Sequence, residues 1–147
     1  VGGGSLDALV TGAVVAVRSG EGGGAAYLAP VRGGAGEWVL KPVPGLSSSD
    51  PSAQFTVVRD GEGEGGGGAV GFRSATAEGR TLQANRRGKV QFANHRFGTW
   101  ESWDVAGESL GRCTVANRKF PRVNFAVCIE LVALPDERGV ARAVGAH

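Results

Sequence analysis

The sequence predicts an all-β protein, and its apolar pattern carries that prediction. Val70 alternates with Phe72, and Val90 with Phe92, and a period of two in residues of this type is typical of half-buried strands. No run of 10 or more residues sustains the 3.6-residue period of an amphipathic helix. We therefore expect short strands and no helical layer.

Glycine marks the loops between these strands, because it tolerates a positive φ and loses much entropy on folding. The chain has 26 glycines, which cluster at 2–4, 20–24, 33–36 and 61–68. Short strands separated by such turns at regular intervals are typical of a barrel or a sandwich rather than of parallel βαβ units.

An internal repeat further limits the all-β architectures that the sequence allows. The segment 68–105 repeats the order of strands in 12–58, and Arg18-Ser19 and Arg73-Ser74 lie 55 residues apart. The segment 109–134 provides only 26 residues for a third unit. Three units of about four strands each predict a β-trefoil of about 12 short strands, with an abbreviated third repeat.

The third unit is the one whose strands are least regular in sequence. We place its strands at Leu110–Cys113, Lys119–Phe120 and Asn124–Leu134. In the second unit, one large apolar residue from each strand is expected in the core, where burial of an aromatic side chain contributes roughly 1.5–3 kcal/mol. These core residues are Phe72, Leu82, Phe92 and Trp103.

Length and charge limit the domain count and the class of protein. The 147 residues predict a single domain, with tails at 1–10 and 135–147 that carry no obvious chemistry. A net charge of +2 does not by itself indicate a nucleic-acid or membrane partner. The absence of methionine predicts a processed product or a piece of a longer chain, so localisation stays open.

Catalytic and cofactor sites are not predicted. Gly61–Gly66 satisfies the pattern G-x-G-x-x-G, but a strand follows it where a dinucleotide site needs a helix. Glu101 and Asp104 are expected on opposite faces of a strand, which excludes a glycosidase-type acid and base pair. We expect no cofactor, no metal and no enzymatic activity. Cys113 and Cys128 are either buried free thiols or a disulfide.

The second unit also resembles a known family. Val70-x-Phe72-Arg-Ser74, Leu82-x-Ala84, Gly88–Asn94 and Trp100-Glu-x-Trp103-x-Val105 are similar to the fascin-like β-trefoil superfamily, which includes fascin's repeats and the modules that accompany plant and algal glucan-processing enzymes. The resemblance is good over 68–105, recognisable over 12–58 and poor over 109–134. It implies a pseudo-threefold barrel and does not by itself imply a ligand.

The candidate binding site is a basic, hydrogen-bonding surface beside one tryptophan. Its residues are Arg80, Asn85, Arg86, Arg87, Lys89, Asn94, His95, Arg96 and Trp100. A sugar ring stacks on an aromatic face while amide and guanidinium groups bond its hydroxyls, so a glycan or polysaccharide is the first prediction. A role in actin binding, or as a structural subunit of a larger assembly, is the alternative. Binding of phosphate or of a single-stranded nucleic acid is a weaker alternative, and a solvated basic hairpin without a partner also stays open.

Overall fold

The protein is an all-β structure in the computed structural model, which describes residues 6–19, 26–59, 68–136, 138 and 140–143. Every strand pairing is antiparallel. The strands of these ranges are β1 (Val14–Ser19), β2 (Ala26–Arg32), β3 (Trp38–Val43), β4 (Gln54–Arg59), β5 (Val70–Ser74), β6 (Arg80–Ala84), β7 (Val90–Asn94), β8 (Trp103–Ser109), β9 (Arg112–Asn117), β10 (Asn124–Pro135) and β11 (Ala141–Ala143). The predicted all-β class is confirmed.

The sheet closes on itself. Strands β1, β4, β5, β8, β9 and β10 pair in that order, and β10 pairs with β1 to complete a ring. Two hairpins, β2–β3 and β6–β7, extend from the ring and meet each other where Trp38 and Val39 pair with Phe92 and Gln91. The two hairpins are therefore paired with each other as well as with the ring.

The predicted core residues lie inside this sheet. Phe72, Leu82, Phe92 and Trp103 are at most 5% exposed, which confirms all four. The Trp103 indole N–H donates to the Leu82 carbonyl at 3.1 Å, so its polar atom is satisfied within the apolar interior. Phe92 stacks on Phe55 of the first unit with ring centroids 5.9 Å apart.

The third unit differs from its predicted form. The strand expected at Lys119–Phe120 is wrong, because these residues belong to the turn at 118–123 between β9 and β10. The Asn117 side-chain oxygen accepts the backbone N–H groups of Lys119 and Phe120 at 3.0 and 2.9 Å, which bends the chain out of extended pairing. Pro121 follows and has no N–H to donate.

Two more segments differ from the sequence prediction, and a third lies outside the described residues. Trp100 and Glu101 fall in a 3₁₀ turn, Thr99–Glu101, rather than at the start of β8. The tail carries β11, which pairs with the last residues of β10. The glycine-rich segment Gly61–Gly66 lies outside the described residues.

Gly107 enables a close approach within the β8–β9 hairpin. It has a φ of +147°, and a Cβ atom built there would lie 2.6 Å from the Arg112 carbonyl oxygen and 2.7 Å from the Cys113 Cα. Both neighbours are backbone atoms, so neither can move without disturbing the pairing of β8 with β9.

We predict that Gly107→Ala lowers the free energy of unfolding by roughly 1–3 kcal/mol, because alanine would be both strained and in contact with backbone. Urea denaturation followed by tryptophan fluorescence measures this change. Gly34→Ala is the control, since nothing lies within 4 Å of a Cβ at that position and its φ is not positive. Equal stability of the two variants would contradict the prediction.

Both cysteines are free thiols in this fold, although they lie on neighbouring strands. Cys113 pairs with Val127 across β9 and β10, and Cys128 is the next residue along β10, so the two side chains point to opposite faces. Burial raises the pKa of the Cys113 thiol from its ordinary value of 9.0 to about 11, and the neighbouring Cys128 adds to the increase.

We predict that Cys113 resists thiol reagents at pH 8 while the protein is folded, because the reactive species is the thiolate. The Cys128→Ser variant leaves one thiol, which a disulfide dye should label only after unfolding. The pKa of the Cys113 thiol is higher in the folded protein than in the unfolded chain, so the protonated thiol favours the folded state. This contribution to stability is complete at neutral pH and is lost as the pH rises from about 9 to about 11. Rapid labelling of the folded variant at pH 8 would refute the assignment.

Candidate functional site

A cleft brings together three of the predicted site residues. Asn94 at the end of β7, Arg96 in the following loop and Trp100 in the 3₁₀ turn line a space of about 410 Å³. The remaining lining residues are Gln83, Ala93, Thr99 and Glu101. This volume suits one or two sugar rings or a ligand of similar size.

The floor of the cleft is organised by a buried carboxylate. Glu101 is 1% exposed, and its oxygens accept three hydrogen bonds. Gln83 Nε2 donates at 2.6 Å and Asn94 Nδ2 at 3.3 Å to one oxygen, and the backbone N–H of Gly98 donates at 2.9 Å to the other. The carboxylate therefore ties β6, β7 and the 3₁₀ turn to one another.

The network continues below the cleft. Gln91 Nε2 donates to Gln83 Oε1 at 2.9 Å, so the Gln83 amide is used at both ends. A buried network whose members are satisfied stiffens the structure around it. The floor is consequently rigid, and the groups left to meet a ligand are those at its rim.

Trp100 forms one side of that rim, and residues of the β9–β10 region hold it in place. Its ring meets Phe120 edge to face with centroids 5.8 Å apart, and its backbone carbonyl accepts a hydrogen bond from Asn117 Nδ2 at 2.9 Å. Trp100 is half-buried and lines the cleft, so part of it is accessible while its contacts favour a fixed ring orientation.

Arg96 forms another part of the rim. Its side chain is exposed, and its Nε lies 3.5 Å from the position that a Cβ on Gly98 would take. Among the described residues it makes no ion pair, so the guanidinium is available to an incoming group.

Arg80 and His95 belong to a different group, centred on Glu78. Arg80 Nη2 lies 3.1 Å from a Glu78 carboxylate oxygen, and Arg32 approaches the same carboxylate at 3.6 Å. The His95 Nε2 lies 3.0 Å from the Glu78 carbonyl oxygen. Neither Arg80 nor His95 lines the cleft.

The remaining predicted residues lie at the tip of the β6–β7 hairpin. The Asn85 side-chain oxygen accepts the backbone N–H groups of Arg87 and Lys89 at 2.9 and 3.0 Å and so shapes the turn. Lys89 pairs with Glu37, the residue just before β3, and its hydrogen bond holds the pKa of that carboxyl below its usual value. Arg86 and Arg87 are exposed and make no ion pair with described residues.

Sequence reasoning missed the central role of Glu101. The sequence predicts Glu101 on a strand, on the face opposite Asp104, whereas the structure has it in the 3₁₀ turn with its carboxylate bonded to Gln83. One signal was present, because Gly98-Thr-Trp-Glu101 places a glutamate three residues after a small residue, the spacing at which a carboxylate reaches back to a turn's first N–H.

The arrangement is suited to binding. Asp104, the other carboxylate near Trp100 in sequence, forms an ion pair with Arg118, whose Nε lies 3.1 Å from Asp104 Oδ1. The rim offers an aromatic face, a guanidinium and the Asn94 amide, which together suit a ligand that has both apolar faces and hydroxyl or anionic groups.

We predict that Glu101→Gln lowers the free energy of unfolding by roughly 1–3 kcal/mol, because either orientation of the new amide sets an NH₂ group against an N–H donor. Chemical denaturation measures the change. Glu108→Gln makes the same substitution at an exposed position of β8 and should be neutral. A neutral Glu101→Gln would mean that the carboxylate does not organise the cleft.

Comparisons with known proteins give one partial relative and no family. No family model matches the chain, so the resemblance to fascin-like modules stays a prediction. A protein of Arabidopsis thaliana named C-terminal binding protein AN is 36% identical over 107 residues, which are 73% of this chain and 16% of that protein. The chain therefore corresponds to a small part of a much longer relative. None of the described helices is long and apolar enough to cross a membrane.

Proposed function

We propose that this chain is a non-catalytic binding module that recognises carbohydrate through the cleft at Trp100. The observation that carries the proposal is the convergence of Asn94, Arg96 and Trp100 on one cleft above a rigid polar floor. A sugar ring would lie against the indole while Arg96 and the remaining hydrogen-bonding capacity of the Asn94 amide bond its hydroxyls.

We further propose that the module is a fascin-like β-trefoil. A closed ring of six strands with hairpins β2–β3 and β6–β7 in equivalent places supports this architecture for the first two units. The third unit would then have a single turn, 118–123, in place of a hairpin, which agrees with its shorter sequence.

An alternative role is that of an actin-binding or structural part of a larger assembly. It is favoured by the partial relative, since the similar region makes up only 16% of C-terminal binding protein AN. A module of this kind would serve the longer protein through contacts with other macromolecules.

We predict that Trp100→Ala weakens glycan binding by up to about tenfold, since an aromatic stacking contact contributes roughly 0.5–1.5 kcal/mol and about 1.4 kcal/mol is a factor of ten. A glycan array identifies the ligand, and calorimetry with it measures the loss. Arg96→Ala, a change at an exposed residue that leaves the fold intact, should weaken binding as well.

Trp38→Ala is the matched control, because Trp38 is also half-buried but packs under Arg32, outside the cleft. An actin co-sedimentation assay runs in parallel. Unchanged glycan affinity in both cleft variants, or sedimentation with actin in the absence of any glycan ligand, would overturn the carbohydrate proposal.

A further inference from the structure

The cleft adjoins a second turn that extends its basic surface. The β9–β10 turn, residues 118–123, packs against the cleft wall through the Trp100–Phe120 ring contact and the hydrogen bond from Asn117 Nδ2 to the Trp100 carbonyl. The backbone N–H of Arg118 also donates to the Ser102 carbonyl at 2.8 Å. The turn is therefore fixed relative to the cleft.

The same turn reaches the tip of the β6–β7 hairpin. A Cβ built on Gly88 would lie 4.0 Å from Val123 Cγ2, so the hairpin tip and the turn are close neighbours. The three segments 85–89, 95–101 and 117–123 thus form one surface. We call it the basic face.

The charge of the basic face is strongly asymmetric. Its 19 residues contain seven of the chain's 16 lysines and arginines and one carboxylate, the buried Glu101. Lys89 is paired with Glu37 and Arg118 with Asp104. Within the described part of the chain, the other five cations make no ion pair, and all five are exposed: Arg86, Arg87, Arg96, Lys119 and Arg122.

The net charge of the whole chain is only +2, so the excess of positive charge on the basic face is a local feature. Five unpaired cations on fixed turns repel one another, and an anionic ligand that bridges them removes that repulsion. Arginine presents a planar fork that matches an oxyanion in two parallel hydrogen bonds, and four of the five are arginines.

We propose that the carbohydrate recognised by this module is a sulfated polysaccharide that runs from the Trp100 cleft across the basic face. This inference rests on the proposed function and names the class of its ligand. A sulfated chain provides the charge density that five unpaired cations require, and its sugar rings provide the faces that stack on Trp100.

A nucleic acid fits the face less well. Single strands bind through successive aromatic platforms along a basic groove. The basic face offers the Trp100 ring, and the plane of the neighbouring Phe120 ring is inclined to it by 68°, so the two rings do not form successive parallel platforms.

The test compares dextran sulfate, neutral dextran and a single-stranded DNA of matched total charge, with affinities measured by calorimetry or fluorescence. We expect dextran sulfate to bind at least tenfold more tightly than either of the others. Its affinity should fall about tenfold or more between 50 and 200 mM NaCl, as counterion release at several contacts requires.

The double variant Lys119→Gln with Arg122→Gln removes two charges outside the cleft lining and should weaken dextran sulfate binding about tenfold. Lys41→Gln with Arg112→Gln is the matched control, because it makes the same charge change at exposed strand positions outside the three segments. The control should bind as the parent does.

The outcomes separate the two proposals. If Trp100→Ala weakens glycan binding but Lys119→Gln with Arg122→Gln does not alter the preference for sulfate, the sulfated ligand is overturned and carbohydrate recognition stands. If Trp100→Ala leaves dextran sulfate affinity unchanged, the proposed function fails and this inference fails with it. Equal or tighter binding of the DNA would also overturn it.

Discussion

The Glu101 carboxylate is the interaction on which the rest of the site depends. It accepts hydrogen bonds from β6, from the end of β7 and from the turn that leads into β8, so three chain segments share one buried anion. A carboxylate 1% exposed is tolerated only because its hydrogen-bonding capacity is used. The position of Trp100, its immediate neighbour, follows directly from that anchoring.

Two asparagines stabilise the turns beside the cleft through side-chain hydrogen bonds, as Glu101 stabilises the cleft floor. Asn85 and Asn117 each stand at the end of a strand and accept two backbone N–H groups of the turn that follows. Their side chains fix turns that carry exposed basic residues. The cations on these turns are thereby carried on a preorganised backbone, which lowers the entropy lost when a ligand binds.

Much of the fold could be predicted from the sequence because local pattern and tertiary environment agree there. Phe72, Leu82, Phe92 and Trp103 follow the period of two and are buried as that period requires. The strand predicted at Lys119–Phe120 is wrong because the local hydrogen bonds of Asn117 form a turn there. The burial of Glu101 and the proximity of the turns at 88 and 123 are tertiary properties that no spacing along the chain reveals.

If a sulfated chain runs from the Trp100 cleft across the basic face, the cleft and the two basic turns bind it as one site. A nuclear magnetic resonance titration with a short sulfated oligosaccharide distinguishes this, by following the Trp100 indole N–H and the backbone amides of 85–89 and 117–123. We expect all three groups of signals to shift together and to give the same dissociation constant. Shifts confined to other surfaces, or different dissociation constants for the indole and the turns, would contradict it.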